Sequence, residues 1–430
     1  FNSKFAIIYL RWRKLKIKIQ KKPYILNNKD FRTIQIHVMF PIKIKKETLA
    51  YINILPNMLQ FMNNKYPSED KFLLANKKLY ILNNHCGYSR IGLNGFFTFD
   101  MIIPDTNSLK ENLLEKQFSL FSEMIYNPLI ENGCFTSFEL EKEKKNILFD
   151  IDNSLKNIGT YQNLRLKEII DEDNILSLNL ARNTDLIEKV TPSNLYKYYK
   201  KIIIDNSPII FVMGNVDENK INKLCNKYLY KNFKNKEINI KLDYFMNTRD
   251  KILEVTENSS FNNSCLSIVY KVKGANEFDY IYLNYVRDIL TSISLGLLSK
   301  NLREDLEIVY SVKVQPYSRY GLLEIKAFIN KNNMELAKNK IIEIVDSLKN
   351  PEVFKAELNN LIERQRLDVI EKKDNKYIIF DDYISSTLNL DDTLEEYYEK
   401  YKNISCEDIS NFVNRLVLDT IYFLKEKDHE

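Results

Sequence analysis

The chain of 430 residues is long for one hydrophobic core and suits two domains of roughly 200 residues each. With 44% hydrophobic and 28% charged residues it has the balance of a chain that folds as a soluble globular protein. The net charge of +5, from 63 basic and 58 acidic side chains, is weak and argues against nucleic acid as a partner.

In chain order, FAIIYL (5–10) is too short for a signal-peptide core, and no run approaches the ~18 apolar residues of a membrane helix. In RWRKLKIKIQKK (11–22), Leu15, Ile17 and Ile19 alternate with Lys14, Lys16 and Lys18. That pattern predicts an edge strand with its lysines toward solvent, a guard against edge-to-edge association, with Trp12 as an anchor. A basic patch for an acidic partner, a precursor peptide or a membrane surface is the alternative.

RTIQIHVMFPI (32–42) has the period of a half-buried strand through Ile34, Ile36, Val38 and Phe40, and a helical run follows at 47–62. The same order returns at CLSIVYKVKG (265–274), through Leu266, Ile268, Tyr270 and Val272, with a helix over 279–293. A glycine followed by a strand appears at 94–103 and again at 320–329. An Asn-Pro pair stands near a helix end at Asn127-Pro128 and at Asn350-Pro351. Long charged helices come next, at 138–151 and 355–370. Finally 191–214 and 405–425 each read as a helix leading to a strand, N-capped by Thr191 and Ser405. Several matches in one order predict a duplicated unit. The reading is α+β: two tandem homologous α/β sandwich domains, each a mostly antiparallel sheet flanked by helices. The expected boundaries are 1–225 for the first domain, 226–260 for the linker and entry to the second, and 261–430 for the second.

Five cysteines at 86, 134, 225, 265 and 406 are widely spaced and odd in number, with no CxxC pair. They predict free thiols in a reducing cytosol rather than a disulfide scaffold or zinc knuckle. Of the three histidines, His37 falls in a strand-like run, His85 beside Cys86 in an expected loop, and His429 near the C-terminus. Each is expected to be structural or superficial, because a lone imidazole makes no metal site. Gly-rich phosphate loops, a GxSxG elbow and Cys/His pairings do not stand out.

LREDLEIVYSV (302–312) carries Arg303 and Tyr310 seven residues apart, at a helix end passing into a strand. A plain surface charge and a strand residue are the simplest reading of that pair. However, the duplicated unit and the run Leu295-Gly296 through Leu302-Arg303-Glu304, then Glu307 to Val312, resemble the M16 zinc peptidases (insulinase, pitrilysin and mitochondrial-processing-peptidase relatives). The family glycine of that run is Glu307 here, while Arg303 and Tyr310 keep the spacing. The resemblance implies that this pair faces a zinc site across a closed chamber, half of a clamshell, and stabilises the oxyanion formed during peptide-bond attack.

The family's HxxEH, with two zinc-binding histidines and a glutamate that activates water, matches Asn53-Ile54-Leu55-Pro56-Asn57. Both histidines are thus Asn, and the glutamate is Pro56. The third family ligand matches Asp150, and another family carboxylate matches Glu143. Two carboxamides and one carboxylate are a poor zinc set. Asp150 and Glu143 read as ordinary helix-face residues rather than as a relic metal site, since charged helix faces are normally solvated. The resemblance therefore implies no cofactor in this chain, with Zn²⁺ in an HxxEH-containing partner chain. It looks like the shorter, non-zinc member of paired Gram-positive peptidase-like proteins. The expected function is to contribute Arg303 and Tyr310 to a heterodimeric, cytoplasmic bacterial peptidase acting on peptides such as ribosomally made precursors. A catalytically inactive peptide-binding or scaffold protein of the same fold is the alternative.

Overall fold

The structure, a computed structural model, describes residues 14–105, 112–171, 175–292 and 296–427. The run FAIIYL, Trp12, Leu295 and His429 lie outside the described residues. The chain forms two compact units. The N-terminal unit comprises Lys14–Asn153 and Leu178–Lys241, and the C-terminal unit Ser154–Ser177 and Leu242 onward.

The N-terminal unit runs β1 (Lys14–Ile19), β2 (Tyr24–Asn27), β3 (Thr33–Lys43), α1 (Leu49–Gln60), α2 (Glu69–Lys78), β4 (Asn83–Ile91), β5 (Asn94–Pro104) and α3 (Leu114–Tyr126). Then come β6 (Ile130–Glu131), β7 (Cys134–Phe135) and α4 (Ser137–Leu155). Next in the chain, α5 (Ile158–Ile170) belongs to the C-terminal unit. The N-terminal unit resumes with α6 (Asp185–Glu188), α7 (Pro192–Tyr199), β8 (Ile209–Gly214), α8 (Glu218–Leu224) and β9 (Lys236–Lys241).

Its five-stranded sheet has the order β2-β8-β3-β5-β4, with only β2 and β8 parallel. Ile34, Ile36, Val38 and Phe40 of β3 are all buried, in one cluster with Ile52 and Leu59 of α1 and Phe118 and Phe121 of α3. Burying side chains of this kind contributes roughly 1.5–3 kcal/mol each, which fixes the helices to this face. β1 pairs with β9 in a separate ribbon. Ile17 and Ile19 are buried there while Lys16 and Lys18 are exposed, as the alternation predicts.

The C-terminal unit contains α5, β10 (Leu253–Asn258), β11 (Ser264–Val272), α9 (Asp279–Thr291), β12 (Val309–Tyr317), β13 (Leu322–Ile329) and α10 (Met334–Ser347). It continues through α11 (Leu358–Lys373), α12 (Lys376–Thr387), α13 (Leu394–Lys402) and α14 (Cys406–Val413) to β14 (Leu416–Lys425). The sheet order is β10-β14-β11-β13-β12, with only β10 and β14 parallel. The two sheets therefore correspond strand for strand, and the duplication read from the sequence is a duplication of topology. The interval 226–260 carries β9 of one unit and β10 of the other.

The repeated glycine before a strand has a steric cause in both units. A Cβ on Gly95 would stand 2.2 Å from the Ser89 carbonyl oxygen. Gly321 has φ +64°, and a Cβ there would meet that of Ala275 at 2.8 Å. The repeated caps are present too. Thr191 Oγ1 accepts from the Asn194 N–H at 3.2 Å, and Ser405 Oγ from the Asp408 N–H at 3.1 Å.

Two expectations change. His85 and Cys86 lie in β4, paired with Asp100 and Phe99 of β5, and not in a loop. The Asn, Gly and Ser content of 83–91 suggests a turn, but pairing with a strongly apolar strand overrides that local preference. β11 is buried at every residue rather than on one face. Leu166 and Ile170 of α5 cluster with Cys265 and Val269 on its second side.

Within the C-terminal unit, fully buried Asp419 is held by Arg249 at 2.7 Å and Lys271 at 3.2 Å. The backbone N–H of Arg249 and the hydroxyl of Thr420 also donate to it.

Candidate functional site

α1 is apolar on its core side through Leu49, Ile52, Leu55 and Leu59, which sets Asn53 and Asn57 one turn apart on another face. The Asn53 carboxamide is used locally. Its nitrogen donates to the Leu49 carbonyl at 2.8 Å, and its oxygen accepts from the Tyr88 hydroxyl at 3.3 Å. Pro56 is buried in the helix interior. It offers no side-chain donor or acceptor, and it removes one backbone bond of the helix.

The Asn57 nitrogen donates to one carboxylate oxygen of Glu143 on α4. Asn146 donates to the other at 3.5 Å. Glu143 is buried, and burial raises its pKa. The hydrogen bonds from Asn57 and Asn146 pull it back down, and the charge of Asp150 pushes it up again.

Asn57, Glu143 and Asp150 line one cleft of about 420 Å³ together with Met58, Phe61 and Phe149. Asn53 is not among the lining residues. The structure thus brings Asn57, Glu143 and Asp150 to one cleft and leaves Asn53 outside it. As a donor set they do not fit Zn²⁺. Both carboxamides are neutral and engaged, Pro56 has no base to offer, and Glu143 already accepts two hydrogen bonds. Among the described residues, no group of three His, Cys, Asp or Glu is arranged to hold a metal ion.

In the C-terminal unit, Arg303 lies in a short π-helical turn, Ser299–Asp305, and Tyr310 near the start of β12. β12 is an edge strand of its sheet. The β12–β13 register shifts between Val309 and Ser311, so Tyr310 is the extra residue of a bulge. Bulges re-aim side chains, and Tyr310 is 58% exposed. The Ile308 N–H donates to the Leu302 carbonyl at 2.9 Å and closes the intervening turn. Leu302, Ile308 and Val309 are buried, while Arg303 and Tyr310 are exposed. Among the described residues, neither Arg303 nor Tyr310 makes a side-chain hydrogen bond or ion pair.

Sequence reasoning did not single out Tyr88, whose hydroxyl ties down Asn53. Its place in an edge strand was hidden by the loop-like composition of 83–91. It also passed over four lysines around α2 (Lys65, Lys71, Lys78 and Lys116), although Lys71 and Lys78 are two turns apart on that helix.

The chain thus presents a duplicated α/β unit with this strand order, an exposed Arg and Tyr in one unit and Asn-Pro-Asn on the first helix of the other. Residues 189–365 match the family model described as the Peptidase M16 inactive domain. The chain is 24% identical over 408 residues to the "Probable inactive metalloprotease YmfF" of Bacillus subtilis (strain 168), covering 94% of this chain and 95% of that protein.

The same fold occurs in a conserved protein from Enterococcus faecalis V583, at a TM-score of 0.84 and 19% identity, over 96% of this chain and 99% of that one. It also occurs in a protease from Helicobacter pylori, at a TM-score of 0.72 and 15% identity, over 96% and 99%. The chain is thus similar to M16 peptidases in fold and in residues 189–365, and it carries no HxxEH sequence. No helix among the described residues is long and apolar enough to cross a membrane.

Proposed function

We propose that this chain is the non-zinc subunit of a two-chain M16-type peptidase. An HxxEH-containing homologue binds Zn²⁺ and supplies the general base. This chain lends Arg303 and Tyr310 to the same reaction. Attack of water on a peptide carbonyl builds negative charge on its oxygen, and a guanidinium and a phenol O–H aimed there stabilise that charge. The substrate class is a short or unfolded peptide, and a ribosomally made precursor is the natural candidate. The free cysteines support a reducing bacterial cytoplasm as the compartment.

The observation that carries this reading is the state of the pair. Two polar side chains are held on a closed turn and a bulge, exposed and without a partner among the described residues, while Asn53 and Asn57, which match the family's zinc histidines by position, are engaged in internal hydrogen bonds. Exposed and unbonded to any described residue, both side chains are accessible to a ligand.

Co-purification with an HxxEH-bearing M16 chain from the same genome tests it. The reading expects a stable complex holding one zinc, bound by the partner, that hydrolyses an unfolded peptide which neither chain cleaves alone. A complex that forms but hydrolyses no faster than the partner alone would leave a scaffold role instead.

A further inference from the structure

The N-terminal unit has a second cleft, of about 790 Å³, on the side of α2 away from the core. Phe72 and Asn76 are the buried residues of α2. Lys71, Leu74, Ala75 and Lys78 recur at intervals of three and four and lie along another face, which lines this cleft. α3 contributes Lys116 and Leu120, and Lys65 enters from the turn before α2.

Leu74 is 52% exposed, an unpartnered apolar side chain in the wall. Lys65, Lys71, Lys78 and Lys116 make no ion pair with any described residue. Glu115, the one carboxylate in the described lining, is already taken by Lys227 at 2.6 Å and the Tyr228 hydroxyl at 3.0 Å.

We infer that this cleft docks an acidic peptide segment of a partner protein, one that carries a bulky apolar side chain among its carboxylates. The charge complementarity is direct, since four lysines ring the site and no free carboxylate answers them. The apolar part of the lining, Leu74, Leu79 and Leu120, gives the apolar anchor a place to bury, which pure charge attraction would not need. Lysines on flexible stems suit scattered carboxylates, whereas planar, bidentate recognition of phosphate favours arginine, and none lines the cleft. The volume falls within the range of clefts that hold ligands, roughly 300–1,000 Å³. The cleft is independent of the zinc-subunit reading and stands or falls separately.

The test is fluorescence anisotropy of the full chain with a labelled peptide of about twelve residues built from Glu and Leu. Its Lys/Leu counterpart and an oligothymidylate of equal charge serve as competitors. Binding of the acidic peptide is expected to weaken about tenfold or more in the Lys71→Glu/Lys116→Glu variant and to weaken with added salt. It should weaken about fivefold in Leu74→Ser. All three positions are exposed, so unchanged melting curves are expected and would show that the variants fold. Equal affinity for the basic peptide, or indifference to the charge reversal, would overturn the inference. So would an oligothymidylate that binds as tightly as the peptide, or a Leu74→Ser variant that binds as the wild type does, because either would reduce the site to a general attraction for polyanions.

Discussion

The backbone N–H of Ile308 donates to the carbonyl of Leu302 at 2.9 Å, and the turn it closes holds Glu307 at φ +52°. This is the position where the resemblance to M16 peptidases implies a glycine. A left-handed conformation costs an L-residue about 1–2 kcal/mol, part of which glycine returns as lost chain entropy. Glu307→Gly should therefore keep or raise stability by up to about 1 kcal/mol, and the β-branched Glu307→Ile should lower it by about 1–2 kcal/mol. Chemical denaturation reads both. Equal effects from Gly and Ile would mean that the turn does not need this conformation in solution.

Pro56 sits inside α1 and is buried. Proline in a helix interior costs about 3 kcal/mol relative to alanine, and truncation loses two buried methylenes worth about 1.5 kcal/mol. Pro56→Ala should thus raise stability by about 1.5 kcal/mol, seen as a higher melting temperature. A fall in stability would show that the pyrrolidine ring packs better than its backbone penalty implies.

Glu143 gives a pH dependence with a definite sign. Its folded-state pKa is raised above the ordinary 4.5, chiefly by burial. The folded state therefore holds the proton more tightly than the unfolded one. Its contribution to stability is complete below the ordinary value and is lost as pH rises through the raised one. Glu143→Gln removes this titration. The melting temperature of the variant relative to wild type should climb from about pH 4 upward and then level off. A difference that stays constant across that window would contradict the assignment.

Asp419 is fully buried between Arg249 and Lys271. Asp419→Asn keeps the shape but removes the buried charge that faces both cations, and breaking a buried ion pair costs about 3–5 kcal/mol. Urea unfolding followed by circular dichroism should show that loss. A cost under about 1 kcal/mol would mean that water screens the cluster.

The duplication was legible because both units need the same local solutions: an alternating strand, a glycine where a backbone crowds it, and a capped helix before the last strand. Thr191, Ser405, Gly95 and Gly321 each answer a local demand, so their neighbours in sequence suffice to find them. β4 was misread because the partner that makes Asn83–Ile91 a strand is β5, and nothing within the segment reveals it. The full burial of β11 depends on α5, about a hundred residues earlier in the chain, and was equally invisible. Asn53, Asn57, Asp150, Arg303 and Tyr310 were singled out through the family resemblance, and the structure gives their surroundings, not the roles the resemblance implies. Their hydrogen-bonding state was not legible in the sequence, since Tyr88 and the Asn57–Glu143 bond come from tertiary contacts.

The most direct measurement is the turnover of an unfolded peptide by the purified two-chain complex, comparing wild type with Arg303→Ala and Tyr310→Phe. Both side chains are exposed and without partners among the described residues, so the complex should still assemble. The account predicts that each variant loses about 10²-fold or more in kcat, as removal of an oxyanion donor does. Turnover unchanged in both, with the complex intact, would contradict it and return the pair to the surface.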